Sequence, residues 1–436
     1  MRSRESLEAT EPAGSGAAAR PAVSVGERLG PAVSPRPGLT AAQACAAMVV
    51  SIGVGRFAYT PMLPLMAEQA GLDPAGGALV ATANYAGYFA GALMGIVFPQ
   101  LVRFRAGFRW AMVVLTATLA AMPLAQGVLA WSTLRCLCGV ASAAVFMTAA
   151  ASLLAHLHGR TAHLSGWGYA GVGLGITLTG LTVLVLRQTA SWQAGWEASA
   201  LLAAITSALA WTMPLEPPPA TASGTAAPAM NGDRVAAPAA RAKKRLAGKG
   251  AAVSLTISYT LEGAGYVIAG TFLVAAIAQA GVGSIGPGAW VIVGLAAAPS
   301  CAVWTWAARR LPGALLLAAA LAIQSVGLAL AALAGGPVSV LIAALLFGGT
   351  FMGTVALTMS LGRQLPFRRA VAVLTAGYAL GQIIGPLIVR AVVAHGYRPA
   401  LLVGAAVVLV ATLAALACAR LTPKAASRGG ANVPAF

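Results

Sequence analysis

Three charged side chains stand in apolar surroundings, and any chemistry this chain performs starts with them. Arg56 is the one charge in GVGRFAYTPMLPLM, residues 53–66; Arg135 lies in AWSTLRCLCGV and Glu262 in ISYTLEGAGYV. A charge in such a stretch costs several kcal/mol unless it is paired, hydrogen-bonded or wetted. Three roles are open for Arg56: a planar, permanently charged fork for an anionic group, a latch paired with Glu262, or a structural tie. Arg135 is either a charge with a coupling role or a side chain snorkelling from a helix end to the headgroups. A glutamate paired with an arginine can also carry a proton, staying ionised while the pair holds and taking up a proton once it opens. Helical spacing adds Tyr59, three residues beyond Arg56, and Tyr259 and Tyr266, three before and four after Glu262. Asn84, Gln324 and Gln382 complete the polar candidates. Aromatic and amide groups of this kind orient a small molecule by stacking and hydrogen bonding.

The elements that position these residues follow from composition. Of 436 residues 59% are hydrophobic and 9% charged, far below the roughly 25% charged of a soluble domain. Runs of about 20 apolar residues can cross a bilayer as helices, and twelve are expected, at about 41–68, 76–99, 108–129, 132–156, 163–186, 195–214, 251–279, 286–308, 312–334, 337–361, 369–393 and 399–420. Residues 1–40 form an Ala-, Pro-, Ser- and Arg-rich tail, expected to be disordered and cytoplasmic, and 421–436 form a second tail. Residues 215–250 are expected to be a disordered cytoplasmic linker that divides the spans six and six. Arg56 then lies roughly 22 Å into the first span and Glu262 roughly 17 Å into the seventh, at about 1.5 Å per residue, both near mid-membrane. The other nine acidic residues fall in tails, loops or span ends.

The net charge of +18 does not point to nucleic acid, because the basic residues sit in short gaps between apolar runs. With the N-terminus inside, those gaps place twenty-three Lys and Arg on the cytoplasmic side against Arg187, Arg390 and Arg398 outside, which puts both termini in the cytoplasm. The five cysteines and four histidines lack metal-ligand spacing. Gly53-x-Gly55 resembles part of a dinucleotide fingerprint but lies inside an apolar span, and no Walker A sequence occurs.

The halves repeat. Gly-Tyr-Ala at 168–170 recurs at 377–379 and Gly139 at Gly348, both at an offset of 209, while Gly53-x-Gly55 answers Gly263-x-Gly265 at 210. A parallel duplication of six helices explains the series. Gly87, Gly91 and Gly95 in the second span, and Gly377, Gly381 and Gly385 in the eleventh, form small-residue stripes. They are expected either to pack helices within a half or to form the seam along which the halves rock.

Twelve spans, a six-plus-six duplication and a long middle linker resemble the major facilitator superfamily of secondary transporters. GVGRFAYTPMLPLM, GYVIAGTFL at 265–273 and GYALGQIIGP at 377–386 resemble its YbfB/YjiJ-type branch. The resemblance implies an all-α membrane fold of twelve transmembrane helices in two six-helix pseudo-repeats, 41–214 and 251–420, with helices 1, 4, 7 and 10 lining a central cavity. Arg135-x3-Gly139 resembles the fourth-helix motif of that superfamily, which implies a role in proton coupling or substrate charge. FPQLVRFRAGFRW keeps the basic residues and Gly107 of the gating motif but lacks its aspartate, and GWGYAGVGLGI lacks the proline of the fifth-helix antiporter motif. The resulting expectation is a secondary transporter of the bacterial cytoplasmic (inner) membrane. It would move a small organic solute by alternating access with protons coupled, acting as a monomer in the lipid bilayer, without cofactor, catalysis or nucleic acid. The alternative is a non-transporting membrane receptor or scaffold on the same fold. Solute accumulation, as opposed to binding alone, separates the two.

Overall fold

The computed structural model describes residues 36–98, 100, 104–157, 163–186, 191–215, 238–279, 285–333, 336–365 and 370–422. The expected tail of residues 1–35, the linker at 216–237 and the tail beyond 422 lie outside the described residues. Every regular element among the described residues is a helix, the form in which an apolar run satisfies its own backbone polar groups inside lipid.

Helix α1 spans Pro37–Ala70 and is interrupted. The helices that follow are α2 Pro74–Val97, α3 Arg105–Ala121, α4 Gly127–His156, α5 His163–Leu186 and α6 Trp192–Ala210. The second half comprises α7 Pro238–Gln279, α8 Ile285–Ala307, α9 Gly313–Leu333, α10 Pro337–Arg363, α11 Ala370–Val393 and α12 Tyr397–Leu421. Ten of these are long and apolar enough to cross a bilayer. The other two, α2 and α6, give positions to Thr82, Asn84, Tyr85 and Tyr88, and to Gln193 and Glu197. One boundary corrects the sequence reading: α7 begins at Pro238, inside the segment expected to be disordered linker. PAARAKKRLAGKG is rich in strong helix formers, and Pro at the first helical position suits the start of a helix.

Within the first half α2 packs on α4 and α1 on α5; within the second, α7 packs on α11 and α12, and α8 on α10. The halves meet where α5 packs on α8, α2 on α11 and the second part of α1 on α7. The duplication is visible in matched contacts. Gly139 faces the Asn84 carbonyl, and Gly348, 209 residues later, faces the carbonyl of Val293, also 209 residues later. In both places the absent Cβ lets two backbones touch.

The break in α1 sets up everything that follows. Pro37–Met48 is α-helical, Val49–Val54 is a π-turn, and Tyr59–Ala70 resumes the α-helix. Gly55 N–H reaches back five residues to the Val50 carbonyl at 2.9 Å, and Phe57 N–H to the Ile52 carbonyl at 3.3 Å. Pro61 and Pro64 have no N–H to return to the carbonyls before them. The regular ladder therefore fails around Gly55 and Arg56, leaving backbone carbonyls that other groups must satisfy.

Candidate functional site

Arg56 sits at this break and is 5% exposed. Its guanidinium crosses to the other half, where Nη2 donates to Gln382 Oε1 on α11 at 2.8 Å and to the Tyr266 hydroxyl on α7 at 3.4 Å. Gln382 Nε2 donates to the same hydroxyl at 3.3 Å, closing a triangle. The rings of Tyr88, Tyr85 and Phe57 lie 4.5, 4.9 and 5.8 Å from the guanidinium carbon, within cation–π range. Nε is buried with no partner. The hydrogen-bond partners of this cation and the rings around it are all neutral.

The pairing follows from the duplication. Arg56 and Tyr266 are 210 residues apart, as are Thr60 and Gly270, whose hydroxyl and carbonyl are hydrogen-bonded. That is the offset of Gly53 and Gly263, so equivalent positions of the two halves meet across a pseudo-two-fold axis. Beside them the Tyr85 and Thr271 hydroxyls are 3.2 Å apart, a further bond between halves.

Arg135 has a different task. It is 1% exposed, so it does not snorkel. Its Nη1 and Nη2 donate to the carbonyls of Gly55 and Arg56, each at 2.8 Å. Cys138 Sγ also donates to the Gly55 carbonyl at 3.3 Å, and Asn84 Nδ2 reaches it at 3.5 Å while donating to the Arg135 carbonyl at 2.9 Å. Arg135 is thus a clamp on the broken backbone of α1, flanked by the rings of Tyr59 and Trp196 at 5.5 and 5.7 Å. The Tyr59 hydroxyl donates to the Gly77 carbonyl at 2.9 Å, which ties the second part of α1 to α2. Asn84 and Tyr59 therefore support the clamp, whereas the Arg56 side chain bonds Gln382 and Tyr266.

Glu262 is fully buried. Its Oε1 accepts a bond from Thr354 Oγ1 at 3.4 Å, and the buried Gln324 amide lies within hydrogen-bonding reach of the same carboxyl. No ion pair joins it to Arg56, whose donors face Gln382 and Tyr266. Near-parallel rings pack beside it. Tyr259 stacks on Tyr378 at 4.3 Å, Tyr378 on Tyr266 at 5.6 Å, and Tyr266 on Phe351 at 5.0 Å. Tyr266 and Tyr378 are within electrostatic reach of both Arg56 and Glu262.

Tyr85, Tyr88, Tyr378, Phe57, Phe351 and Thr354 escaped the sequence reading. Tyr378 carried a signal, since it lies four residues before Gln382 and so on the same helical face. Tyr85 and Tyr88 belong to an α2 face that no charge marked.

The glycine stripes take the first of their two expected roles, packing helices within a half. A Cβ on Gly87 or Gly91 would meet Cys136 or Val140 of α4, and one on Gly377, Gly381 or Gly385 would meet Thr260 or Ala264 of α7. Both sets of contacts lie within one half, so these glycines are not the seam. The close approach between halves uses Gly173 and Gly180 of α5 against Gly294 and Val291 of α8. The dinucleotide-like glycines likewise serve helix packing, with Gly53 against Gly175. No group of His, Cys, Asp or Glu among the described residues could hold a metal ion.

Comparison with known proteins decides the family. The family model described as "Uncharacterised MFS-type transporter YbfB" matches residues 48–416. The chain belongs to this family. It is a multi-pass membrane protein and a transporter of the major facilitator type. Its fold is similar to that of a variant of the nucleoside transporter NupG, with a TM-score of 0.61 and 16% identity over 87% of this chain and 99% of that one. It is also similar to the POT family transporter PepTSo, with a TM-score of 0.62 and 12% identity over 88% and 98%. A third is a bacterial homolog of the human lysosomal transporter Spinster, in an inward-facing, unoccupied conformation, with a TM-score of 0.61 and 13% identity over 89% and 98%. No curated protein matches the sequence. At these identities the structural neighbours establish the fold alone.

Proposed function

We propose that this YbfB-type transporter carries a small organic anion across the bacterial cytoplasmic membrane by alternating access, with Arg56 as the anion's anchor and Glu262 as the proton site. One observation carries the reading: Arg56 is a buried cation whose recorded partners are all neutral, and Gln382 and Tyr266 come from the opposite half. A buried arginine with an unused Nε–H favours an incoming carboxylate or similar oxyanion, which would accept from Nε and displace Gln382 from Nη2. Displacement removes a polar tie between the halves, so binding and rocking are linked through one contact. Glu262 faces only neutral groups, which accommodate it as the acid; release of that proton leaves an uncompensated charge that disfavours the same packing. A substrate that arrives with a proton and leaves with it fits this pair of groups.

Purified protein in liposomes should accumulate an anionic solute when a proton gradient is imposed, and Arg56→Gln should abolish both binding and accumulation. Binding without accumulation in the wild type would instead mark a receptor. Both termini are placed in the cytoplasm on the charge distribution: cysteines introduced at 216–237 should label only in permeabilised cells, and cysteines at 280–284 in intact ones. The reverse pattern would overturn the orientation.

A further inference from the structure

We propose that the groove between the start of α3 and the end of α6 binds an anionic phospholipid, with the headgroup phosphate on Arg105 and Arg109 and the first part of an acyl chain along Trp110 and Val113. The groove is separate from Arg56 and Glu262, so the inference does not depend on their assignment.

The sequence supplies the chemistry. FRAGFRW, residues 104–110, places two arginines at i and i+4 on one face of α3, with no acidic residue in its first turn. Like charges at that spacing repel, and an anion held between them removes the repulsion. α3 packs on α4 and α6 and leaves Phe104, Trp110 and Val113 exposed, so this face of the helix meets lipid. Tryptophan and arginine together mark the level of the headgroups. The same pairing stands at the same end of the other half, where the Arg310 guanidinium lies over the Trp306 ring at 4.8 Å.

The groove is lined by Phe104, Arg105, Arg109, Trp110, Val113 and Trp211 among others, and its volume is about 600 Å³. That is within the range of small-molecule sites, about 300–1,000 Å³. Arg109 is half-buried and held in place: Nε donates to the Trp211 carbonyl at 3.2 Å, and the guanidinium carbon lies 5.1 Å from the Trp211 ring. Its Nη1 and Nη2 have no hydrogen-bond partner among the described residues, and neither has the Arg105 guanidinium. No carboxylate is among the described residues that line the groove, so its positive charge is matched from outside the chain. At this depth the available anion is a phosphodiester, which accepts readily from guanidinium groups. Basic pockets between helices on the cytoplasmic side bind anionic headgroups in this way. A soluble phosphate would leave Trp110 and Val113 uncovered, whereas an acyl chain covers both.

Native mass spectrometry of the purified full chain tests the site, with phosphatidylglycerol and phosphatidylcholine of the same acyl chains offered together in a neutral detergent. Each arginine beside an anionic headgroup contributes about a fivefold preference. The wild type should therefore retain phosphatidylglycerol with a preference of about 25-fold, Arg105→Gln about fivefold, and the double variant Arg105→Gln, Arg109→Gln close to one. The preference is a ratio read within each variant, so a general loss of stability does not imitate it. Arg309→Gln, Arg310→Gln removes the same charge from the other half and should keep the wild-type ratio. A ratio that falls equally in both double variants would reduce the site to general attraction and overturn the proposal. Glycerol 3-phosphate at millimolar concentration should not displace the lipid; displacement would assign the groove to a soluble phosphate instead. Equal retention of the two lipids by the wild type would overturn the proposal outright.

Discussion

Replacing Arg135 with lysine keeps the charge and removes the fork, which isolates what the clamp on α1 contributes. Arg135 makes two bonds of 2.8 Å, one to the Gly55 carbonyl and one to the Arg56 carbonyl. A compact ammonium reaches one of these and leaves the other. The Gly55 carbonyl would retain Cys138 and Asn84 as donors, at 3.3 and 3.5 Å, whereas the Arg56 carbonyl would be left with nothing comparable. A hydrogen bond from a charged group contributes about 1.5–3 kcal/mol, and an ordinary interhelical bond in a membrane protein averages about 0.6 kcal/mol. Arg135→Lys should therefore destabilise by about 1.5–3 kcal/mol, which for a chain of this size lowers Tm by roughly 2–3 °C. Because the loosened turn is the one that projects Arg56, anion affinity should fall as well. Thermal unfolding in detergent, followed by tryptophan fluorescence with and without ligand, reads both effects. A Tm within 1 °C of the wild type together with unchanged affinity would refute the clamp.

Two further substitutions probe the proton site and the seam. Glu262→Gln should abolish proton-driven accumulation in liposomes while counterflow exchange of substrate continues; accumulation at the wild-type level would remove Glu262 from coupling. Gly294→Leu should stop transport while leaving each half folded, because its side chain would enter Thr177 and Gly173 across the seam. Gly381→Leu should instead lower stability, because its contact with Thr260 lies within one half; the opposite assignment, read from Tm and uptake together, would return the seam to the glycine stripes.

The membrane fold was legible because its causes are local. An apolar run has one viable form in lipid, and the glycines at offsets of 209 and 210 recur because the same close contacts recur, as Gly139 on Asn84 and Gly348 on Val293 show. The centrality of Arg56 was legible from its cost, since a charge in that run must have partners. Its actual partner was not. Gln382 lies 326 residues away on a helix face with no charge to mark it, and an amide answers the guanidinium where a carboxylate might be expected from sequence. The role of Arg135 was hidden for another reason: it binds main-chain carbonyls freed by a π-turn, and VVSIGV reads as continuous helix because nothing in its side chains announces the break. The stripes left two readings open because a small-residue face states that something approaches closely without stating which helix does so.

The account turns on Arg56 being a cation without a fixed counter-charge, and Gln382→Glu tests it most directly. The substitution puts a carboxylate 2.8 Å from Nη2 without changing the shape of the site. A permanent ion pair should then tie the halves together and occupy the anion's place. Measured in liposomes and by thermal unfolding, Gln382→Glu should show raised Tm with anion binding and uptake both lost. Uptake at the wild-type rate in that variant would contradict the claim that substrate is recognised by an unneutralised Arg56.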